Sequence, residues 1–94
     1  MEKRIGTVII LIEDKHVISR LNEILSEHGD IVVGRQGIPV LEQETQRSVI
    51  SLVLYGDLDK IGALTGKLGR LTGVNVKSAL LKNSKPSDYE LKDS

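Results

Sequence analysis

The chain has no cysteine, no phenylalanine and no tryptophan, and only two tyrosines among its 94 residues. Without cysteine there is no disulfide, no thiolate zinc site, no cysteine-held iron–sulfur cluster and no cysteine nucleophile. With so few aromatics, Val, Ile, Leu and Ala must pack the interior. Net charge is missing too: thirteen Lys and Arg balance thirteen Asp and Glu. That balance argues against a surface that grips nucleic acid or an acidic membrane over its whole extent, although a local basic patch stays open. No run approaches about 18 apolar residues and no charged-then-apolar leader is seen, so a soluble, cytoplasmic protein without a membrane segment is expected. What is present, 39% hydrophobic and 28% charged residues, is the balance of one small globular domain rather than of a disordered chain.

The apolar residues fall into strand and helix patterns in turn. Arg4 to Ile12, R-I-G-T-V-I-I-L-I, is a β-branched run that suits a strand buried on both faces. Asp14 can cap a helix from Lys15, along which Val17, Leu21, Ile24 and His28 form a stripe widened by Ile18 and Leu25 and stopped at Gly29. From Asp30 a second extended stretch carries Gly34, Gly37 and Pro39, which places it at a sheet edge, bulged. Residues 42–47, E-Q-E-T-Q-R, contain no apolar side chain and read as a hairpin tip or flexible loop. A strong strand follows over Ser48 to Tyr55, then a helix from Leu58 to Thr72 whose Ile61, Leu64, Leu68 and Leu71 share one face. Gly73 stops that helix, and a last strand runs to Lys82. The order strand, helix, strand, strand, helix, strand predicts an α+β, ferredoxin-like βαββαβ plait. Its four-stranded antiparallel sheet has order 4-1-3-2, with both helices on one face.

Such a plait leaves its second sheet face bare. The first and third strands are apolar on both parities, so a homo-oligomer is expected, with Val8, Ile10, Ile50 and Leu52 as the interface residues. The second helix carries Gly62, Gly66 and Gly69 within about 60° of arc, on the flank of its apolar stripe. Three interior glycines cost about 3 kcal/mol against alanine, which close packing on the first helix, a partner subunit or a ligand lying on backbone could offset. Arg35 between Gly34 and Gly37 offers a guanidinium fork beside accessible backbone. Arg35, Gly37, Gly62, Gly66 and Lys67 are therefore the candidate ligand-binding residues. No complete nucleotide-binding glycine motif is present. His16 and His28 stand about 18 Å apart along one helix, too far to share a metal within one chain. No serine or threonine has a histidine near it in a nucleophile motif. No catalytic residue, no metal ligand and no enzyme activity is expected, and no cofactor is indicated. A different class of function is suggested by residues 68–81, L-G-R-L-T-G-V-N-V-K-S-A-L-L, which loosely follow a helix-turn-helix and would turn Asn75, Lys77 and Ser78 toward DNA. A structural subunit of a larger complex is a third.

Three stretches, K-R-I-G-T-V-I-I-L-I-E-D, G-R-Q-G-I-P and above all D-K-I-G-A-L-T-G-K-L-G-R-L-T-G-V-N-V-K-S, resemble the small regulators of the iron-only hydrogenase system over residues 3–82. The resemblance implies an ACT-like plait, similar also to the ligand-sensing domain of the nickel-responsive repressor. It also implies a role in sensing a small ligand or binding a hydrogenase-maturation protein. The chain departs from ACT domains in its first strand-to-helix turn, E-D-K-H, which has no glycine, and from the nickel repressor in having no cysteine. Nucleic-acid binding by the chain alone is accordingly not expected. Residues 1–82 are expected to form the single ACT-like domain and residues 83–94, polar and aperiodic, a loose tail.

Overall fold

A computed structural model describes residues 2–82; the expectation of a loose tail over residues 83–94 lies outside them. The elements in chain order are β1 (Arg4–Ile12), α1 (Ile18–Glu27), β2 (Val32–Ile38), β3 (Ser48–Gly56), α2 (Leu58–Gly69) and β4 (Val74–Leu80). One sheet of order β2-β3-β1-β4 holds all four strands, and each neighbouring pair is antiparallel. This is the plait order expected from the crossover rules, with the two strongest β-branched runs at the centre.

Local chemistry explains where these elements differ from the sequence pattern. A 3-10 turn, Lys15–Val17, precedes α1, because the Asp14 carboxylate accepts from the His16 backbone N–H at 2.9 Å and tightens the first turn. At its other end α2 stops at Gly69 rather than Thr72. There the Arg70 and Leu71 N–H groups reach back only three residues, to the Lys67 and Leu68 carbonyls. As expected of an edge strand, β2 carries a register irregularity between Val32 and Gly34, and it ends before Pro39. The polar 42–47 loop is closed on itself: Leu41 N–H donates to the Arg47 carbonyl at 2.7 Å, and the Arg47 guanidinium pairs with Glu42.

The core lies between the sheet and the helices. Val8, Ile10, Ile12, Ile50, Leu52 and Leu54 meet Leu21, Ile24 and Leu25 of α1 and Ile61, Leu64 and Leu68 of α2. At about 1.5–3 kcal/mol per buried aliphatic side chain, this cluster is the dominant favourable term of the fold. It also corrects the expected interface. Val8, Ile10 and Leu52 are 0% exposed and Ile50 is 8% exposed, because their parity points them at the helices. A strand's side chains alternate strictly, so a one-residue error in phase exchanges the two faces. The face without helices is carried by the odd-numbered neighbours: Ile5, Thr7, Ile9 and Leu11 of β1 and Val49, Ser51, Val53 and Tyr55 of β3.

Candidate functional site

The five candidate ligand residues divide between two places. Arg35 and Gly37 lie on edge strand β2, where the Arg35 guanidinium donates to the Asn22 side-chain carbonyl of α1 at 3.0 Å. A shallow depression of about 300 Å³ lies there, with Ile18, Arg35, Gly37 and Ile38 among its lining. Gly62, Gly66 and Lys67 belong to α2. Arg35 and Gly37 line the depression at the β2 edge, Gly62 and Lys67 line two others, and the two groups do not form one site.

Within α2 the glycines and the cation part again. Lys67 turns toward α1 and pairs with Glu27 at 3.2 Å, while Lys60 pairs with Asp30 at 2.9 Å. Both contacts tie α2 to the C-terminal end of α1. The hydrogen bond from Lys67 holds the Glu27 carboxyl below its ordinary range, and the bond from Lys60 does the same for Asp30. The Asp30 carboxylate in turn raises Lys60. Arg70 folds back over Gly66, its guanidinium 3.7 Å from where a Cβ would stand. Gly62 and Gly69 have nothing within 4 Å of that position. Close packing against α1 therefore does not account for them.

Beside Gly62 a groove of about 240 Å³ runs between α2 and the β1–β4 side of the sheet. Leu58, Ile61, Gly62 and Thr65 form its helix wall, and Gly6, Ser78 and Leu80 its sheet wall. Glycine at 6 and serine at 78 leave the sheet wall low where a larger side chain would fill the space. The groove is mostly apolar; the Thr65 and Ser78 hydroxyls border it, while the hydroxyl of Thr7, also in its lining, donates to the Leu52 carbonyl at 2.9 Å. Sequence reasoning found Gly62 but not Gly6, Thr65 or Ser78, since nothing in the local pattern says that β4 packs beside that flank of α2.

The open sheet face is the second notable surface. Ile9 is 53% exposed, Tyr55 46% and Val53 44%. Lys3 places its ammonium 5.5 Å from the Tyr55 ring centroid. The strands contain no Asp or Glu at all, and among their three cations Arg4, Arg35 and Lys77, only Lys77 shares the parity of the open face. A signal for the phase was present in the sequence: Thr7, Gln36, Ser51, Asn75 and Lys77 all fall on this one face.

The remaining motifs resolve as structure. Residues 74–80, proposed above as part of a recognition helix, form β4, paired with β1 from Gly6–Leu80 to Ile12–Val74; this removes the helix-turn-helix reading. The E-D-K-H turn is fixed from the other side of the fold: the Gly73 carbonyl accepts from the Glu13 and Asp14 N–H groups at 2.9 and 3.1 Å. Gly73 has φ +86°, and a Cβ there would stand 2.9 Å from Asp14 Cβ, so only glycine fits. His16 is exposed and its Nδ1 lies 2.9 Å from Asp14, while Nε2 of His28 is buried without a hydrogen-bond partner. Among the described residues no three His, Cys, Asp or Glu side chains come together as metal ligands, and no helix is long and apolar enough to cross a membrane.

Comparison with known proteins places this geometry. The chain is similar to the uncharacterized protein TM1266 from Thermotoga maritima, with 39% identity and a TM-score of 0.77, over 86% of this chain and 100% of that one. It is similar in fold to CPII from Thiomonas intermedia, a nitrogen regulatory PII-like protein, at 14% identity and TM-score 0.53 over 90% of this chain and 96% of that one. The de novo designed protein Foldit4 shares the fold at 13% identity and TM-score 0.56, over 88% of this chain and 100% of its own. No curated protein matches the chain. The TM1266-like family, described as regulators of the iron-only hydrogenase system, matches residues 4–78, and the chain belongs to that family.

Proposed function

We propose that the chain is a non-enzymatic, ACT-like regulatory module of the iron-only hydrogenase system. It acts in the cytoplasm as a homo-oligomer, by binding a small ligand or a hydrogenase-maturation protein. The observation that carries the reading is the groove beside Gly62. An interior helical glycine costs about 1 kcal/mol against alanine, and here the cost coincides with an unfilled hollow rather than with packing. The missing side chain at Gly62 lets a ligand lie close against the helix, and the hydroxyls of Ser78 and of Thr65, which donates to the Gly62 carbonyl at 3.3 Å, supply polar groups at the edge of apolar walls, the usual composition of a small-molecule site. Gly62 is the candidate residue that belongs to this groove; Gly66, under the Arg70 guanidinium, and Lys67, paired with Glu27 of α1, lie outside it, and Arg35 and Gly37 would serve a separate contact at the β2 edge.

A thermal-shift screen tests the ligand-binding form. Amino acids, metal ions and adenine nucleotides are the probes, the last because the CPII relative is described bound to ADP, AMP and acetate. A compound at about 100 times its dissociation constant adds about 2.7 kcal/mol, which raises the Tm of a domain this size by about 10–20 °C. The shift should vanish in Gly62→Leu, which fills the groove. If no compound shifts the wild type, small-ligand sensing fails and the partner-binding form is tested by co-purification with hydrogenase-maturation proteins.

A further inference from the structure

The open sheet face has a shape that singles out its occupant. At one end, Ile5 and Tyr55 stand opposite each other in register as two large, half-exposed side chains. At the other end Ile9, Leu11, Val49, Asn75 and Lys77 surround a shallow hollow of about 260 Å³. Pair and hollow lie on one face, at opposite ends of the same two central strands. A two-fold axis lying in the plane of the face, across the strands, exchanges these ends. It brings Ile5 and Tyr55 of one copy onto the hollow of the other, and the second copy returns the same contact.

Charge and area agree with this arrangement. No carboxylate lies on any strand, so nothing acidic is desolvated on either side. The one open-face strand cation, Lys77, sits at the β4 edge, where the same two-fold sets it over the backbone beside the partner's Ala79. The two Lys77 Cα atoms then stay about 12 Å apart, given a spacing of about 10 Å between packed sheets and about 6.6 Å between alternate residues. Four strands at about 4.8 Å by seven to nine residues at about 3.3 Å give a footprint of roughly 500 Å² in plan. That lies just under the range of about 600–1,000 Å² that each side of a stable interface buries, so a partner must cover essentially the whole face. Nucleic acid is a poor occupant for a face whose cations are Lys77 at one edge and Lys3 over the Tyr55 ring. Residues 83–94 offer only Tyr89 and Leu91 as large apolar groups, too few to cover it.

We infer that the open face packs against the same face of a second copy of this chain, with Ile9, Val53 and Tyr55 at the contact and Tyr55 seated in the partner's hollow. The inference rests on the homo-oligomer reading above and names its surface. Light scattering on the full chain tests it. The wild type should have twice the one-chain mass of 10.3 kDa, about 20.6 kDa. Ile9→Lys and Val53→Lys should each give the one-chain mass with an unchanged far-UV spectrum, and Ser19→Lys, on the exposed side of α1, should keep the wild-type mass. A wild type of one-chain mass at high concentration, or an assembly that survives both lysine variants, overturns it. A monomer that still shows a ligand-dependent thermal shift would overturn this inference while leaving the regulatory reading standing. An Ile9→Lys chain that fails to fold leaves the decision to Val53→Lys, whose position on β3 is independent of β1.

Discussion

Gly62→Ala separates a structural glycine from a functional one. The Cβ it adds would meet nothing within 4 Å, and the residue lies inside α2, well away from either cap. Nothing in the fold then opposes the gain in helix propensity, so the variant should be more stable than the wild type by about 0.5–1 kcal/mol. For a domain of this size that raises Tm by roughly 2–8 °C, or moves the urea midpoint up at constant m-value. Gly73→Ala is the contrast. Its positive φ and the 2.9 Å approach to Asp14 Cβ predict a loss of about 2–4 kcal/mol from backbone strain and the displaced turn. Both variants are measured by urea denaturation at one protein concentration, since self-association makes the midpoint concentration-dependent. A destabilised Gly62→Ala would refute the reasoning, because it would mean that the glycine serves packing. A stabilised variant that no longer responds to a ligand active on the wild type would show that stability is being given up at that position for binding.

Further outcomes follow from the core, the caps and the ion pairs. Leu64→Ala, at a fully buried position of α2, should cost about 2–5 kcal/mol in the same denaturation assay. Asp14→Ala removes the acceptor for the His16 N–H and should lower the urea midpoint, while Asp14→Asn, which keeps an acceptor oxygen, should stay close to the wild type. Glu27 and Asp30 have depressed carboxyl pKa values, so their contribution is fully present above their unfolded values near 4.5 and 3.8 and is lost as pH falls through the lower folded values. Lys60 is raised above 10.5, so its share is present below that pH and is lost only as pH rises beyond it. Stability should therefore be flat with respect to these pairs from about pH 5 to 9. The acid-side slope should shrink in Lys67→Met and with added salt, because the pairs are exposed.

Most of the topology could be read from the chain because its signals were redundant. The β-branched runs at 4–12 and 48–55, the helical spacing of Ile61, Leu64 and Leu68, and the breaks at Gly29 and Gly73 all point to the same element order. The face of β1 and β3 was not legible from apolar content, since Val8 and Ile10 alternate with Ile9 and Leu11 and both sets are β-branched or aliphatic. Only burial against α1 and α2 settles which set is core. The polar residues Thr7, Ser51, Asn75 and Lys77 carry the missing phase, but it emerges only once the β1–β3 and β1–β4 registers are known. The groove was hidden for a related reason: Gly6, Gly62 and Ser78 lie on three elements, and their juxtaposition is a product of the crossover of α2 over the sheet. Gly73 was legible as a helix stop, yet its larger part, holding the β1–α1 turn through its carbonyl, depends on a contact about sixty residues back in the chain.

The central claim is that the face left bare by the helices is closed by another copy of the chain, and Tyr55 reports on it directly. In a Tyr89→Phe background it is the only tyrosine, and in the single chain it is 46% exposed. Quenching of its emission by acrylamide should be weak at concentrations where the protein is assembled, and should rise on dilution to the level of the Ile9→Lys variant. Equal, strong quenching at every concentration, with the wild type and Ile9→Lys indistinguishable, would contradict the account.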